Sequence, residues 1–242
     1  MRYIVTPSSN HRNAYSGNAP LSHESAPRHL AQAEAHFGWW FDPALSDPQV
    51  GDMRIVLAIK ARTGKIGFAA FERPSDVARV AVEQSAHSDV YTHVALHAPD
   101  RAKGKGCTET ALCLPGLVTD LDAQSAYRGS NQGKARDVDS LRLLIADFEE
   151  HYQLPLTLIE SGYGLYALVR FREPLFLEDK AARTEADTLL ARFAEAFRVF
   201  GRKRGWPNTV DRVPLAGLVR VAGTLNRKGN SPLPVRISEN LR

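Results

Sequence analysis

Cysteine is nearly absent: Cys107 and Cys113 are the only two in 242 residues. Two thiols cannot complete a structural zinc site, and they make no disulfide framework. The chain therefore reads as a protein of a reducing, cytoplasmic compartment. No apolar run approaches the ~18–20 residues of a membrane-spanning helix. Residues 1–25 lack a basic start followed by a long apolar block, so they carry no secretion signal. The basic, glycine-rich stretch at 101–106 lacks the G-x-x-x-x-G-K-[ST] spacing of a phosphate-cradling loop. Internal repeats, low-complexity tracts and linkers are missing as well. Charge of either sign is not in large excess. A formal net charge of +4 permits a nucleic-acid or nucleotide partner without requiring one.

What is present is an ordinary globular composition, 43% hydrophobic and 24% charged, in a chain long enough for one sizeable core. Residues 1–50 read as an irregular arm and a helix packed on the core, and residues 51–242 as one α/β domain. Leu30, Ala33, Phe37 and Trp40 recur at helical spacing behind Pro27. Two apolar runs, 53–60 and 66–71, flank a turn at Gly64 and predict a hairpin. Ser75 is the expected cap of a helix through Val77, Val80 and Ala81. Residues 90–98 alternate as one strand. On an unbroken strand His93 and His97 would stand about 13 Å apart, too far for one metal ion, and both read as surface or lining residues. Asp137 is placed to cap a helix burying Val138, Leu141, Leu144 and Ile145. Two short strands around a glycine turn at 161–164 and a long amphipathic helix, 178–204, follow.

The most informative stretch is Leu117-Val118-Thr119-Asp120-Leu121-Asp122. An apolar run ends in two aspartates separated by one leucine. On a strand, alternate side chains share a face, so Asp120 and Asp122 point one way and Leu121 points into the core. Carboxylates side by side repel, and a divalent cation relieves them. The polar segment 124–134 reads as a mobile loop. The basic groups Arg101, Lys103 and Lys105 precede the strand and could meet phosphates.

Two later pieces complete a pattern. One is Glu160-Ser161-Gly162-Tyr163-Gly164-Leu165-Tyr166. The other is Asp211, followed by Arg220-Val221-Ala222-Gly223-Thr224-Leu225-Asn226-Arg227-Lys228. In this order and at these distances, the set resembles the archaeo-eukaryotic primase superfamily. It is most similar to the RepB-like primase and primase-polymerase domains of plasmids and phages, and the resemblance covers roughly residues 90–237. The family shows D-x-D, then S-G-x-G-L-H, then a lone Asp and a run similar to R-V-P-G-T-x-N-x-K. Tyr166 stands where the family has histidine, and Ala222 where it has proline.

The resemblance implies an α+β catalytic core. An RRM-like antiparallel sheet packs on helices beside a second small α/β unit, and the site lies in the cleft between them. It implies metal-dependent nucleotidyl transfer on single-stranded DNA from nucleoside triphosphates. Asp120, Asp122 and Asp211 would hold Mg²⁺ or Mn²⁺. Ser161, Gly162, Gly164, Tyr166, Arg220, Asn226 and Lys228 would bind the nucleotide. A replicative helicase, where one takes part, would lie on another chain or domain. Two alternatives stand beside this reading. One is a module that binds nucleic acid or nucleotide but lacks turnover, which Tyr166 motivates. The other is a rolling-circle-type initiator nuclease, which needs a paired-histidine metal site and a nucleophilic tyrosine.

Overall fold

The structure is a computed structural model and describes residues 26–47, 52–99, 107–126, 130–229 and 231–238. In chain order its elements are α1 (Ala26–Leu45), β1 (Ile55–Lys60), β2 (Ile66–Phe71), α2 (Pro74–Ser85), β3 (Asp89–His93), β4 (Leu96–His97), β5 (Ala111–Asp122), α3 (Val138–Tyr152), β6 (Thr157–Glu160), β7 (Gly164–Phe176), α4 (Lys180–Lys203), β8 (Val210–Arg212), β9 (Leu218–Arg220), β10 (Leu225–Asn226), β11 (Leu233–Pro234) and β12 (Arg236–Ile237). This is a mixed α+β fold in which every pairing between these strands is antiparallel.

One sheet has the order β2-β1-β3-β9. The larger sheet runs β12-β6-β7-β5-β4, with β8 also paired to β5, and β10 and β11 form a small ribbon. Ala33, Phe37, Trp40 and Phe41 of α1 join one core with Ile55, Leu57 and Val90 of the small sheet and Val118, Ile159 and Leu168 of the large one. The other face of the large sheet packs Leu121, Leu158, Leu165 and Ala167 beneath Leu141, Leu144, Ile145 and Phe148 of α3 and Phe193 and Phe197 of α4. The large sheet is thus covered on both faces, and the aspartates singled out in the sequence lie at the end of β5 and on its neighbour β8.

Two local expectations change. The start of α2 is set by Pro74 rather than Ser75. Arg73 takes the cap position with extended backbone and no side-chain cap bond. Proline pushes the residue before it out of the helical region and supplies a preset first helical residue. The strand expected over 90–98 breaks after His93, and Val94 and Ala95 carry the chain from the small sheet to the large one. The break brings the two imidazoles together. Their ring centroids lie 4.6 Å apart, edge to face, and both residues are buried. His97 Nδ1 lies 3.0 Å from Thr110 Oγ1. The expected wide spacing, and the surface reading that went with it, do not hold.

His36 on α1 gives the fold a pH dependence. Its ring is fully buried, and its Nδ1 accepts the Ala222 backbone N–H at 3.1 Å, so it must be neutral. Burial pushes its pKa down to about 4, from an ordinary value near ~6.5. The unfolded chain therefore binds the proton first. The stability His36 provides is complete above pH ~6.5 and is lost as pH falls toward 4, by about 3 kcal/mol. Urea unfolding between pH 7.5 and 4 should show this extra loss in the parent and a shallower dependence in His36→Gln. Glutamine can still accept the Ala222 N–H but takes up no proton.

Candidate functional site

Strand register builds the site. Asp120 on β5 lies directly opposite Asp211 of β8 on one side and Tyr166 of β7 on the other. Directly opposed residues share a face, with Cβ atoms about 4.5–5.5 Å apart. Asp211, Asp120 and Tyr166 therefore form one row across three strands. The residues after Asp120 and before Asp211 and Tyr166 are Leu121, Val210 and Leu165, and all three point the opposite way into the core under α3 and α4. A slip of one residue would bury the carboxylates and expose the leucines, so the core fixes which face the aspartates take. Thr119 Oγ1 donates to the Asp211 backbone oxygen at 3.1 Å and ties β8 to β5 at this point.

Asp122, two residues on, shares the face but not the environment. It is 2% exposed, and Lys134 Nζ sits 3.2 Å from its Oδ2. Its backbone N–H donates to Thr209 O at 2.7 Å. Among the described residues, no three His, Cys, Asp or Glu side chains gather closely enough to hold a metal ion. Asp120 and Asp211 form the adjacent pair, one half-buried and one exposed, while the third carboxylate is engaged by a lysine. Two hard carboxylates, one of them exposed, are the donor type that Mg²⁺ or Mn²⁺ prefers. Such ions are commonly held by one or two carboxylates and fill their remaining positions with water or phosphate oxygens.

The glycine turn lies next to this row. Ser161 N–H donates to Gly164 O at 2.9 Å, and Gly162 has φ +94°, which favours glycine. Gly164 is required for a different reason. It sits opposite Asp122, and a Cβ there would lie 2.2 Å from the Leu121 carbonyl oxygen. Asn226 is buried. Its amide Nδ2 donates to Ser161 O, and its Oδ1 accepts the Lys228 N–H at 3.0 Å. It therefore braces the turn. A cavity of about 280 Å³ opens between the turn and the start of α3, lined by Val138, Asp139, Arg142, Glu160, Gly162 and Gly164. A larger one, about 640 Å³, runs along α4 and holds none of the residues singled out in the sequence.

Tyr166 is 5% exposed, with its ring in the core beside Ile159 and Leu168. Burial, and then the negative charge of Asp120, raise its pKa, while Arg220 and a backbone hydrogen bond from it work the other way. The phenol stays protonated at any ordinary pH. Arg220 is itself closed in. Its guanidinium, 6% exposed, donates to Asp89 Oδ1 at 2.7 Å and to the Tyr91 hydroxyl at 2.9 Å, and stacks over the Tyr91 ring at 4.7 Å. Tyr91 is also held protonated, first by burial, with Asp89 and Asp120 adding to the effect. The charge of Asp120 thus reaches Tyr91 on β3 as well as Tyr166 on β7. Lys228 is exposed. Arg101, Lys103 and Lys105 lie outside the described residues.

Two residues that no motif marked belong to this region. Lys134 lies in a polar stretch without periodicity. Arg227 donates its backbone N–H to Asp89 Oδ1 at 2.9 Å, and its guanidinium reaches Ser85 O at 2.9 Å and Ala86 O at the end of α2. No helix among the described residues is long and apolar enough to cross a membrane.

No protein-family model matches the chain, and no curated protein matches it. Among solved structures, it is similar to the AEP domain of the primase-polymerase of cyanophage S-2L. Identity is 14%, over 91% of this chain and 91% of that one, with a TM-score of 0.49. It is also similar to the polymerase domain of Mycobacterium tuberculosis ligase D, solved in complex with DNA. Identity there is 12%, over 93% of this chain and 87% of that one, with a TM-score of 0.43.

Proposed function

We propose that the protein is a nucleotidyl transferase of the archaeo-eukaryotic primase type. It would be the primase or primase-polymerase domain of a plasmid- or phage-type replication protein. One observation carries this reading: three motifs separated by tens of residues in the chain meet as the row Asp211–Asp120–Tyr166, with the Ser161–Gly164 turn beside it. Asp120 and Asp211 would hold Mg²⁺ or Mn²⁺, and Asp122 adds the third charge of the motif. When bound, the ion supplies a lowered pKa for a primer 3′-hydroxyl and a counter-charge for departing pyrophosphate.

The chain's own residues bind and orient. Ser161 and the turn N–H groups of Gly162 and Gly164 donate to triphosphate oxygens, and the cavity in front of them leaves room for such a ligand. Asn226 holds the turn in shape. Lys228 neutralises phosphate charge from the rim. Arg220 acts as a positioning residue, because its guanidinium is committed to Asp89 and Tyr91. Arg101, Lys103 and Lys105 would contact template phosphates and make DNA binding salt-dependent. Single-stranded DNA and nucleoside triphosphates are the partners, and a helicase on another chain would be a third.

The test is incorporation of labelled nucleotide on single-stranded DNA, primed and unprimed, with Mn²⁺ or Mg²⁺. The reading expects product complementary to the template. Binding of DNA and nucleotide without any incorporation would favour the alternative of a non-catalytic module, which the burial of Tyr166 supports. A covalent tyrosyl–DNA adduct would favour the nuclease.

Tyr166 has its own test. Its ring is core, so Tyr166→Phe should change stability by no more than about 1 kcal/mol, the net worth of one neutral hydrogen bond. Nucleotide affinity should be unchanged. Urea unfolding and calorimetric titration with a non-hydrolysable triphosphate measure both, and a clear loss of affinity would put the hydroxyl on the nucleotide instead.

A further inference from the structure

β2 ends the small sheet, and among the described strands it pairs with β1 alone. The other edge strands of the two larger sheets are short: β9 has three residues, and β4 and β12 have two each. β2 has six, Ile66-Gly67-Phe68-Ala69-Ala70-Phe71, and its register to β1 runs through six consecutive pairs without a shift. It holds no charged residue, no proline and no bulge. Those devices, and short length, are how proteins keep a sheet edge from pairing with another chain. Ile66 is 43% exposed, and Gly67 and Ala70 are exposed as well.

The hairpin turn decides which backbone groups this edge offers. Ala61 N–H donates to Lys65 O at 2.9 Å, so Lys65 turns its peptide groups toward β1. In an antiparallel pair such residues alternate, so Gly67, Ala69 and Phe71 also face β1. Ile66, Phe68 and Ala70 then point their N–H and C=O groups outward. A second copy of the same strand can satisfy all of them. With a two-fold axis at Phe68, Phe68 lies opposite Phe68 of the second copy, and Ile66 lies opposite its Ala70. Each of these pairs exchanges outward groups. The side chains agree with this register: a branched residue meets a small one, two aromatic rings meet at the axis, and Lys65 lies across from Phe71, where its stem can pack. An axis at Ala69 would instead set Lys65 against Arg73 and Ile66 against Glu72, and like charges directly opposed are destabilising. An axis at Gly67 would run Ala70 into the turn at Gly64.

We propose that β2 is a homodimer interface, pairing antiparallel with β2 of a second copy about a two-fold axis at Phe68. Two four-stranded sheets thereby become one sheet of eight strands. The strand is complementary to itself in hydrogen bonding, in side-chain size and in charge, and those three together single out one register. A two-fold contact of this kind closes on itself, so assembly stops at the dimer. β2 carries none of the residues assigned to metal or nucleotide, and the proposal stands apart from the nucleotidyl-transfer reading.

The test is sedentation velocity and equilibrium on the full chain, up to roughly 100 μM, where a complex of micromolar Kd is formed. The parent should be a dimer. Ala70→Pro removes an outward N–H and leaves the ladder to β1 in place, and proline is tolerated on an edge strand. Ile66→Lys adds a charge at an exposed position and leaves every backbone group intact. Each should weaken association by roughly tenfold or more, since the edge bonds or the apolar contact are lost. Circular dichroism checks that both are folded. The register has its own readout in a Cys107→Ser background, which removes the exposed thiol. There Phe68→Cys should form a disulfide between copies on mild oxidation, because opposed Cα atoms about 5.5 Å apart lie in disulfide range. A parent that stays monomeric would overturn the proposal, whether the edge is then covered by residues 1–25 of the same chain or by another protein. So would a dimer that persists in both Ala70→Pro and Ile66→Lys, or a dimer in which Phe68→Cys does not cross-link.

Discussion

Asp120→Asn and Asp211→Asn should each abolish nucleotide incorporation while the fold stays intact. The two carboxylates are direct cross-strand neighbours on one face of the sheet. The Asp211 backbone oxygen, which the substitution keeps, accepts the Thr119 hydroxyl. Charge stabilisation by a held metal ion supplies several kcal/mol of the barrier reduction. Losing one ligand should therefore lower the rate roughly a thousandfold or more. The same substitutions should raise the melting temperature of the metal-free protein slightly, because like charges directly opposite each other on a sheet repel. The gain should vanish when Mn²⁺ is added, since the ion stabilises only the protein that retains both carboxylates. Lost activity together with lost stability would mean that the aspartates serve the fold rather than the chemistry.

Arg220→Ala should have the largest effect on stability. Its guanidinium is nearly fully buried, forms an ion pair with Asp89, donates to Tyr91 and stacks on that ring. Truncation would leave the Asp89 carboxylate with only the Arg227 backbone N–H among those bonds, and would empty the space over Tyr91. Breaking a buried pair by removing one partner costs about 3–5 kcal/mol, and the partial exposure of Asp89 places this case near the lower end. Arg220→Lys keeps the charge but loses both the fork and the stacking surface, so it should recover part of the loss and not all of it. Urea unfolding of the two variants gives the comparison. A change below about 0.5 kcal/mol in Arg220→Ala would show that the pair contributes no more than a surface contact.

How much of this was legible in the sequence depended on the range of the interaction. The buried face of α1, the hairpin around Gly64 and the Asp137 cap, with its Ser140 N–H at 2.8 Å, follow from patterns a few residues long, and the chain forms them as read. The alternation in Asp120-Leu121-Asp122 placed both aspartates on one face because strand periodicity is local. That Asp211 would join Asp120 followed only from the resemblance to a family pattern, and its place directly opposite Asp120 was not legible at all. The break between His93 and His97 was hidden because Val94 and Leu96 continue the apolar alternation across it. Alternation reports which side of a strand is buried, not which sheet the strand joins. The commitments of Arg220 to Asp89 and of Lys134 to Asp122 involve partners 131 and 12 residues away, in segments with no shared motif. A charged residue's partner is set by tertiary placement, and local spacing does not encode it.

The most direct measurement is a primer-extension time course on single-stranded template with labelled nucleotides and Mn²⁺, run on the parent and on Asp120→Asn side by side. Circular dichroism and the melting temperature would show both to be folded. The account expects template-complementary extension by the parent, its loss when the metal is chelated, and no extension by Asp120→Asn. A folded parent that binds Mn²⁺ and triphosphate but adds no nucleotide, or an Asp120→Asn variant that extends as fast as the parent, would contradict it.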